Sequence, residues 1–231
     1  MGNKLTAVMI AHNEANRYLG MVLEDLVSYC DEVVVLDSGS TDGTASLARS
    51  FPRVRVYRNE RDLFWEDESA LRQQAWELAL ATHPEWILAI DADEMLERKF
   101  KKMRFQLLSQ KGYHLLGFQR FHMWNGMNTY RVDKGWDNRW VYTPMIARVF
   151  PGKTYRFRPQ KLHGGRLPEN VDGPMLATGL RYRDFGYVRK EDQVRKYLEY
   201  MAHDPTGCGG VLLDHYRSIL DPDPVLLPWT E

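Results

Sequence analysis

Apolar positions along the chain alternate between two periods. Leu5 to Ala11 (LTAVMIA) is a short run rich in strand formers that breaks off at His12-Asn13-Glu14, which reads as a buried strand ending in a loop. From Asn16 to Ser28 the apolar residues fall at 19, 22, 23, 26 and 27, one face of a helix with acidic residues opposite. Glu32 to Asp37 (EVVVLD) repeats the strand pattern, and the Gly and Ser/Thr cluster from Ser38 to Thr44 makes a turn feeding a helix near Asp42. Val54 to Arg58 is a third strand. Residues 68 to 82 place Leu71, Ala75, Leu78 and Ala79 at helical spacing, and Glu85 to Asp91 (EWILAID) is a fourth strand. Beyond it, a basic helix is expected to start near Glu94 with Leu96, Phe100, Met103 and Leu107 as its apolar stripe. Another runs from Tyr187 to Met201 with Val194, Tyr197, Leu198 and Met201 on one face, and a short helix and a Pro-rich extended end follow Gly207 to Gly210.

Strand and helix in this rhythm predict an α/β fold, a parallel sheet with helices on both faces. Ligands of such sheets bind beyond the carboxyl ends of the strands. Three of the predicted strand ends carry Asn13-Glu14, Asp37-Ser38 and Asp91-Ala92-Asp93, so a polar site is expected along that edge. A second Asp-x-Asp, Asp221 to Asp223, lies in the Pro-rich end and reads as a solvated turn.

Composition narrows the class. The 231 residues are 44% hydrophobic and 27% charged, which suits a globular domain and excludes disordered and repeat classes. No apolar run approaches the ~18 residues of a membrane span. Met1-Gly2-Asn3-Lys4 lacks the basic and apolar regions of a signal peptide, and Cys30 and Cys208 form no CxxC pair, so a cytoplasmic location is expected. The zero net charge conceals an asymmetry: residues 1–97 hold 8 basic and 18 acidic side chains, residues 98–196 hold 22 and 7, and residues 197–231 hold 1 and 6. The basic middle is either a solvated surface or one that meets phosphate, from a nucleotide, an anionic acceptor or a membrane face. The neutral total argues against nucleic-acid binding.

Four ordered segments carry a family resemblance. Val33 to Thr44 (VVVLDSGSTDGT) resembles the nucleotide-sugar-binding turn of family 2 glycosyltransferases, and Val8 to Glu14 (VMIAHNE) is similar to that family's first strand and Asn-Glu turn. Ala70 to Ala75 (ALRQQA) resembles its Arg-bearing helix, and Trp86 to Glu94 (WILAIDADE) its metal motif. Weaker similarity through Ala147 to Phe150, Leu162-His163 and Asp184 to Tyr187 extends the resemblance to about residue 203. It implies the GT-A, Rossmann-like fold: an α/β chain with a mostly parallel central sheet, helices on both faces, and a small aromatic-rich acceptor-side subregion. One domain, 1–203, would comprise a nucleotide-sugar-binding half, 1–97, and an acceptor-side half, 98–203, with 204–231 as a C-terminal tail.

Carried onto this sequence, the resemblance implies that Ala11, Asn13 and Glu14 line the base and ribose pocket. Asp37, with Ser38 beside it, would accept hydrogen bonds from the uracil or ribose of a UDP-type donor. Arg72 would neutralise the diphosphate, although it also stands four residues after Glu68, the spacing of a helix-surface ion pair. Asp93 would bind Mg²⁺ or Mn²⁺, Asp91 and Ala92 would reach the ribose or a metal-bound water, and His163 would be a third ligand or a diphosphate contact. Relatives carry an acid after that His where this chain has Gly164, and often a His where it has Asp184. An inverting transfer needs a carboxylate to take the acceptor's hydroxyl proton, and Glu169 and Asp137 are the candidates, with Asp172 behind them.

Residues 113–150 are dense in aromatics. Core packing accounts for most of them, while the polar mixtures Trp124-Asn125-Gly126 and Trp136 to Trp140 favour an acceptor-facing surface. Residues 98–104 carry five basic side chains, a solvated face or a peripheral membrane contact. The expected activity is inverting, divalent-metal-dependent hexosyl transfer from a nucleotide-sugar donor, UDP-linked, to a hydroxyl on a saccharide, lipid-linked saccharide, protein or small molecule. A sugar nucleotidyltransferase would want a Gly-rich basic loop after the first strand, which His12-Asn13-Glu14-Ala15 does not supply. A phosphatase would carry its Asp-x-Asp on the first strand, and a noncatalytic nucleotide- or carbohydrate-binding module is the remaining alternative.

Overall fold

The computed structural model describes residues 3–207 and 212–231; Met1, Gly2, Cys208 and residues 209–211 lie outside the described residues. In chain order the elements are β1 (Leu5–Ala11), α1 (Leu19–Leu26), β2 (Glu32–Ser38), α2 (Thr44–Arg49), β3 (Val54–Asn59), α3 (Glu68–Leu80), β4 (Trp86–Ala89), β5 (Glu94–Leu96), α4 (Lys99–Leu108), β6 (Leu115–Trp124), β7 (Thr129–Arg131), β8 (Tyr142–Arg148), β9 (Met175–Tyr187), α5 (Lys190–His203), α6 (Leu213–Arg217) and β10 (Leu226–Pro228).

The apolar runs of β1, β2 and β4 are continuous because both faces of these strands are covered. Successive side chains point to opposite faces. Ala7, Met9, Val33, Val35 and Leu88 pack with Leu19, Val22 and Leu23 of α1 and Phe100 of α4. Val8, Val34, Leu36, Ile87 and Ala89 pack with Leu71, Ala75, Trp76 and Ala79 of α3. This α/β sandwich runs parallel through β4-β1-β2-β3, with β1 at its centre. Beyond β4 the sheet is mixed: β8 and β6 add antiparallel, and β9 lies parallel to β6 while its far end pairs antiparallel with β5.

Four expectations need correction. Glu94 starts no helix: Glu94–Leu96 is strand β5, in register with Asp184 to Tyr182 of β9, and α4 begins at Lys99. Tyr187 ends β9, and α5 begins at Lys190. On α5 it is Asp192 and Gln193 that are buried, while Val194 and Leu198 are 39% and 58% exposed, because the helix covers a polar cavity and turns its charged side toward it. Residues 212–231 do not trail as a tail: Tyr216 and Ile219 are buried, β10 pairs with β7, and Asp221, which accepts from Asp223 N at 3.1 Å in the exposed turn that follows it, also lies 3.1 Å from the buried guanidinium of Arg131.

Of the aromatic residues, Phe118, Phe121, Trp124, Tyr130 and Trp136 are buried, and Trp140 is 79% exposed. Trp124, Trp136, Tyr187 and Ile219 form a small separate core beside the cavity. On α4, Lys99, Lys101, Lys102 and Phe105 face solvent. No helix among the described residues is long and apolar enough to cross a membrane.

The turn after β2 rests on one glycine. Gly39 has φ +66°, and a Cβ there would collide with the backbone of Arg61. Gly39→Ala is expected to lower stability by about 1–3 kcal/mol, read as a shift in the urea midpoint; an unchanged midpoint would contradict the close approach.

Candidate active site

The register of the parallel strands decides where the chemistry collects. Ala11 pairs with Asp37, Val8 with Ala89, and Ile90 N donates to Val8 O, so the carboxyl ends of β1, β2 and β4 open on one edge. Behind that edge lies a frame of hydrogen bonds. Asp37 is fully buried, accepts from Ser40 N at 3.1 Å and lies 3.3 Å from Arg58 Nε. Ser38 Oγ donates to Asp62 Oδ1 at 2.8 Å, and Asn13 donates its N–H to Ser40 Oγ and accepts from Thr41 N, both at 2.9 Å. Ala11 is buried at the end of β1. None of these four residues borders either cavity, which corrects the expectation that Ala11 and Asn13 line the base and ribose pocket and that Asp37 and Ser38 reach the nucleotide. Ala11 and Asp37 are buried at paired strand ends, Ser38 bonds Asp62, and Asn13 ties the turn after β1 to the turn after β2.

The wall belongs to their neighbours. A cavity of about 220 Å³ is lined by Ile10, His12, Glu14, Asp62, Phe64 and Trp65, and it ends at Arg72, Asp91, Ala92 and Asp93. A larger cavity of about 720 Å³ continues past Arg72, Asp91 and Asp93 to Glu94, Arg120, His122, Trp136, Asn138, Arg166 and Asp184. Phe64, Lys196 and Tyr200 border both. The Asp91-Ala92-Asp93 strand end thus lies at the junction of two cavities.

Cations crowd that junction. Arg72 Nε bonds Glu68 at 2.6 Å, the helix pair foreseen from the four-residue spacing, and its Nη1 also lies 3.6 Å from Asp91. Arg166 holds both oxygens of Glu94, at 2.6 and 2.9 Å, and lies 3.9 Å from Asp91. Lys196 Nζ lies 3.2 Å from Asp93 Oδ2. Burial alone would raise Asp91, but Arg72 and Arg166 hold its carboxyl below the usual range. Burial likewise opposes the charge on Lys196, and Asp93 holds its ammonium well above the usual value. Gly186 makes the Lys196 approach possible: a Cβ there would run into that ammonium and stand 2.9 Å from Asp93 Oδ2.

Asp91 and Asp93 offer hard oxygen donors one residue apart, and the Asp91 side chain is 39% exposed. That pair fits Mg²⁺ or Mn²⁺ as part of a shell completed by ligand oxygens and water. His163 does not join them. Its backbone N–H donates to Glu68 at 2.7 Å, and its ring Nε2 lies 2.8 Å from the Tyr216 hydroxyl and 3.7 Å from Asp204. Among the described residues, no group of three or more His, Cys, Asp or Glu side chains is gathered for a metal.

Glu169 and Asp137 reach neither cavity. Glu169 is exposed and pairs with Arg156 at 3.0 Å, and Asp137 makes two 2.8 Å bonds to Arg139 that hold its carboxyl below the usual range. Carboxylates pinned by guanidinium groups are weak proton acceptors. Asp172 is exposed and pairs with Lys153 at 2.7 Å. Sequence reading missed Arg120, His122, Arg166 and Lys196. For Lys196 a signal existed, since Asp192, Lys196 and Tyr200 recur at four-residue steps, a polar stripe on the face of α5 that turns inward.

A parallel half ending in a diacid, closed by a mixed half around a divided cavity, defines a GT-A type transferase. Over 94% of the chain the backbone matches the crystal structure of S. aureus TarS, with a TM-score of 0.58, 17% identity and 42% of that chain covered, a likeness of fold. The chain belongs to glycosyl transferase family 2, whose family model matches residues 6–168, and it is a glycosyltransferase. It is 31% identical over 209 residues to the lipopolysaccharide core biosynthesis glycosyltransferase LpsC of Rhizobium meliloti (strain 1021), covering 85% of this chain and 68% of the relative. It is 33% identical over 221 residues to the uncharacterized protein Rv3786c of Mycobacterium tuberculosis (strain ATCC 25618 / H37Rv), covering 87% of this chain and 51% of the relative. It therefore spans about half to two thirds of the length of these curated relatives.

Glu14 gives the site a pH signature. Its Oε1 pairs with Arg17 and its Oε2 has no hydrogen-bond partner. Burial pushes it up to about 7 against the pull of Arg17, with Asp93 adding to the rise. A raised carboxyl costs stability once it ionises, so the cost is absent below the ordinary Glu range and full above about 7. Glu14→Gln is expected to gain roughly 1–3 kcal/mol over the native protein on going from pH 4.5 to pH 8, measured by urea unfolding; a difference independent of pH would contradict the assignment.

Proposed function

We propose that this glycosyltransferase moves a sugar from a UDP-sugar to a hydroxyl acceptor by single displacement with inversion, with Mg²⁺ or Mn²⁺ held by Asp91 and Asp93. The observation that carries the reading is the diacid strand end at the junction of two cavities, ringed by Arg72, Arg166 and Lys196. A diphosphate brings negative charge to a place that already holds cations in fixed positions. The ion, when bound, supplies electrophilic assistance to the leaving group.

The smaller cavity suits the nucleoside. The unpartnered Glu14 Oε2 is an acceptor for a ribose hydroxyl, and Phe64 and Trp65 supply apolar surface. The larger cavity suits the transferred sugar and the acceptor. A nucleotidyltransferase is disfavoured because the turn after β1 is bound into the turn after β2 and presents no basic loop. The acceptor class we favour is a glycan on an anionic lipid. LpsC is named for lipopolysaccharide core synthesis, and α4 presents Lys99, Lys101 and Lys102 beside Phe105, which is 76% exposed.

Thermal melts with UDP, GDP and dTDP, each with and without Mn²⁺, test the donor. UDP with Mn²⁺ is expected to stabilise the protein by about 2.7 kcal/mol at a hundredfold excess over Kd. Asp93→Ala should abolish the Mn²⁺ dependence. A protein indifferent to all three nucleotides, or an Asp93→Ala variant with unchanged ion dependence, would refute the reading.

A further inference from the structure

Glu169 and Asp137 leave the transferase without a proton acceptor, and the larger cavity supplies one from two other strands. In this chain we infer that His122, oriented by Asp184, is the general base that takes the proton of the acceptor hydroxyl. The inference rests on the transferase reading above and adds to it the residue on the acceptor side.

Strand pairing brings the two groups to the reaction site. β6 and β9 place His122 in register with Asp184, and β5 and β9 place Asp184 in register with Glu94, next to the diacid. Phe185 N donates to Asp93 O at 2.8 Å, which fixes β9 against that strand end. His122 Nδ1 lies 3.0 Å from Asp184 Oδ2, and the other carboxylate oxygen accepts from Gly186 N at 3.0 Å. His122 Nε2 lies 3.1 Å from Asn138 Nδ2, which can only donate. An acceptor on one ring nitrogen and a donor on the other define the tautomer: Nδ1 carries the hydrogen and Nε2 carries the lone pair. The ring is held edge-on by Trp136 at 5.0 Å and Tyr187 at 5.9 Å.

The lone pair meets a replaceable partner. His122, Asn138 and Asp184 all line the larger cavity, and Asn138 belongs to the irregular segment between β7 and β8. A hydroxyl of the acceptor can take the place of the Asn138 amide. Other carboxylates there are engaged: Glu94 by Arg166, Glu68 by Arg72, and Asp93 by Lys196.

The step balances. The acceptor O–H bond breaks and its proton passes to Nε2, the oxygen's electron pair forms the bond to the anomeric carbon, and the bond from that carbon to the diphosphate oxygen breaks, its electron pair leaving with the nucleoside diphosphate. The resulting imidazolium lies against the Asp184 carboxylate until the proton passes to solvent. His122 is the catalytic residue of this step, and Asp184 is a positioning residue.

The test uses the full chain, UDP as the binding probe, and UDP release from UDP-glucose, UDP-galactose and UDP-N-acetylglucosamine with water as the acceptor. His122→Gln is expected to lower UDP release about 100-fold or more while the Kd for UDP with Mn²⁺ stays within about twofold. Asp184→Asn should lose release similarly and Asp184→Glu should recover part of it, a split that a purely structural role would not give. ¹⁵N-histidine NMR of the native protein should show His122 protonated at Nδ1, and Asp184→Asn should shift that signature. His122→Gln releasing UDP within about threefold of the native rate, or a native His122 protonated at Nε2, would overturn the inference while leaving the transferase reading standing. A native protein that neither binds UDP nor releases it from any of the three donors would overturn both.

Discussion

The interaction on which this molecule depends is the compensation of carboxylates at the end of β4 by cations brought from three other elements. Arg72 comes from α3, Arg166 from the segment between β8 and β9, and Lys196 from α5. A mostly buried carboxylate is costly without compensation, so the place of Asp93 at the strand end depends on Lys196 reaching it from α5. The mixed half of the sheet is therefore joined to the parallel half by charge as well as by sheet pairing. The same arrangement places three paired cations at the junction of both cavities.

How far the sequence disclosed this differs between the halves. In the first 97 residues, β1, β2 and β4 are covered on both faces and α1 and α3 on one, so periodicity alone locates them, and the polar tips of those strands fall on one edge as read. In the second half, strands β6, β8 and β9 carry arginines and aromatics whose burial alternates irregularly, since one side of these strands faces a polar cavity. Their sequences therefore lack the apolar signature of a strand. Glu94 shows the same effect: a residue next to an acidic pair reads as a helix start, yet tertiary pairing with β9 makes it a strand.

Site residues follow the same division. Asp91, Asp93, Arg72 and Glu14, on local motifs, line the cavities, whereas Asp37, Ser38, Asn13 and Ala11 lie behind them. His122, Arg166 and Lys196 are far from the diacid in sequence and reach it through strand register and helix packing. The polar stripe of α5 marks Lys196 as inward-facing, but no local pattern encodes the encounter of His122 or Arg166 with the diacid. Glu169 and Asp137 looked eligible because they are carboxylates in loops, and each is instead neutralised by an arginine close to it in the chain or across the same loop.

The compensated diacid is most directly tested by a crystal structure of the protein grown with UDP and Mn²⁺. The diphosphate should lie at the junction of the cavities, with the ion on Asp91 and Asp93, phosphate oxygens within hydrogen-bonding distance of Arg72 or Lys196, and the uridine in the smaller cavity beside Glu14. A nucleotide bound elsewhere, with the Lys196–Asp93 pair undisturbed and no ion at the strand end, would contradict the account.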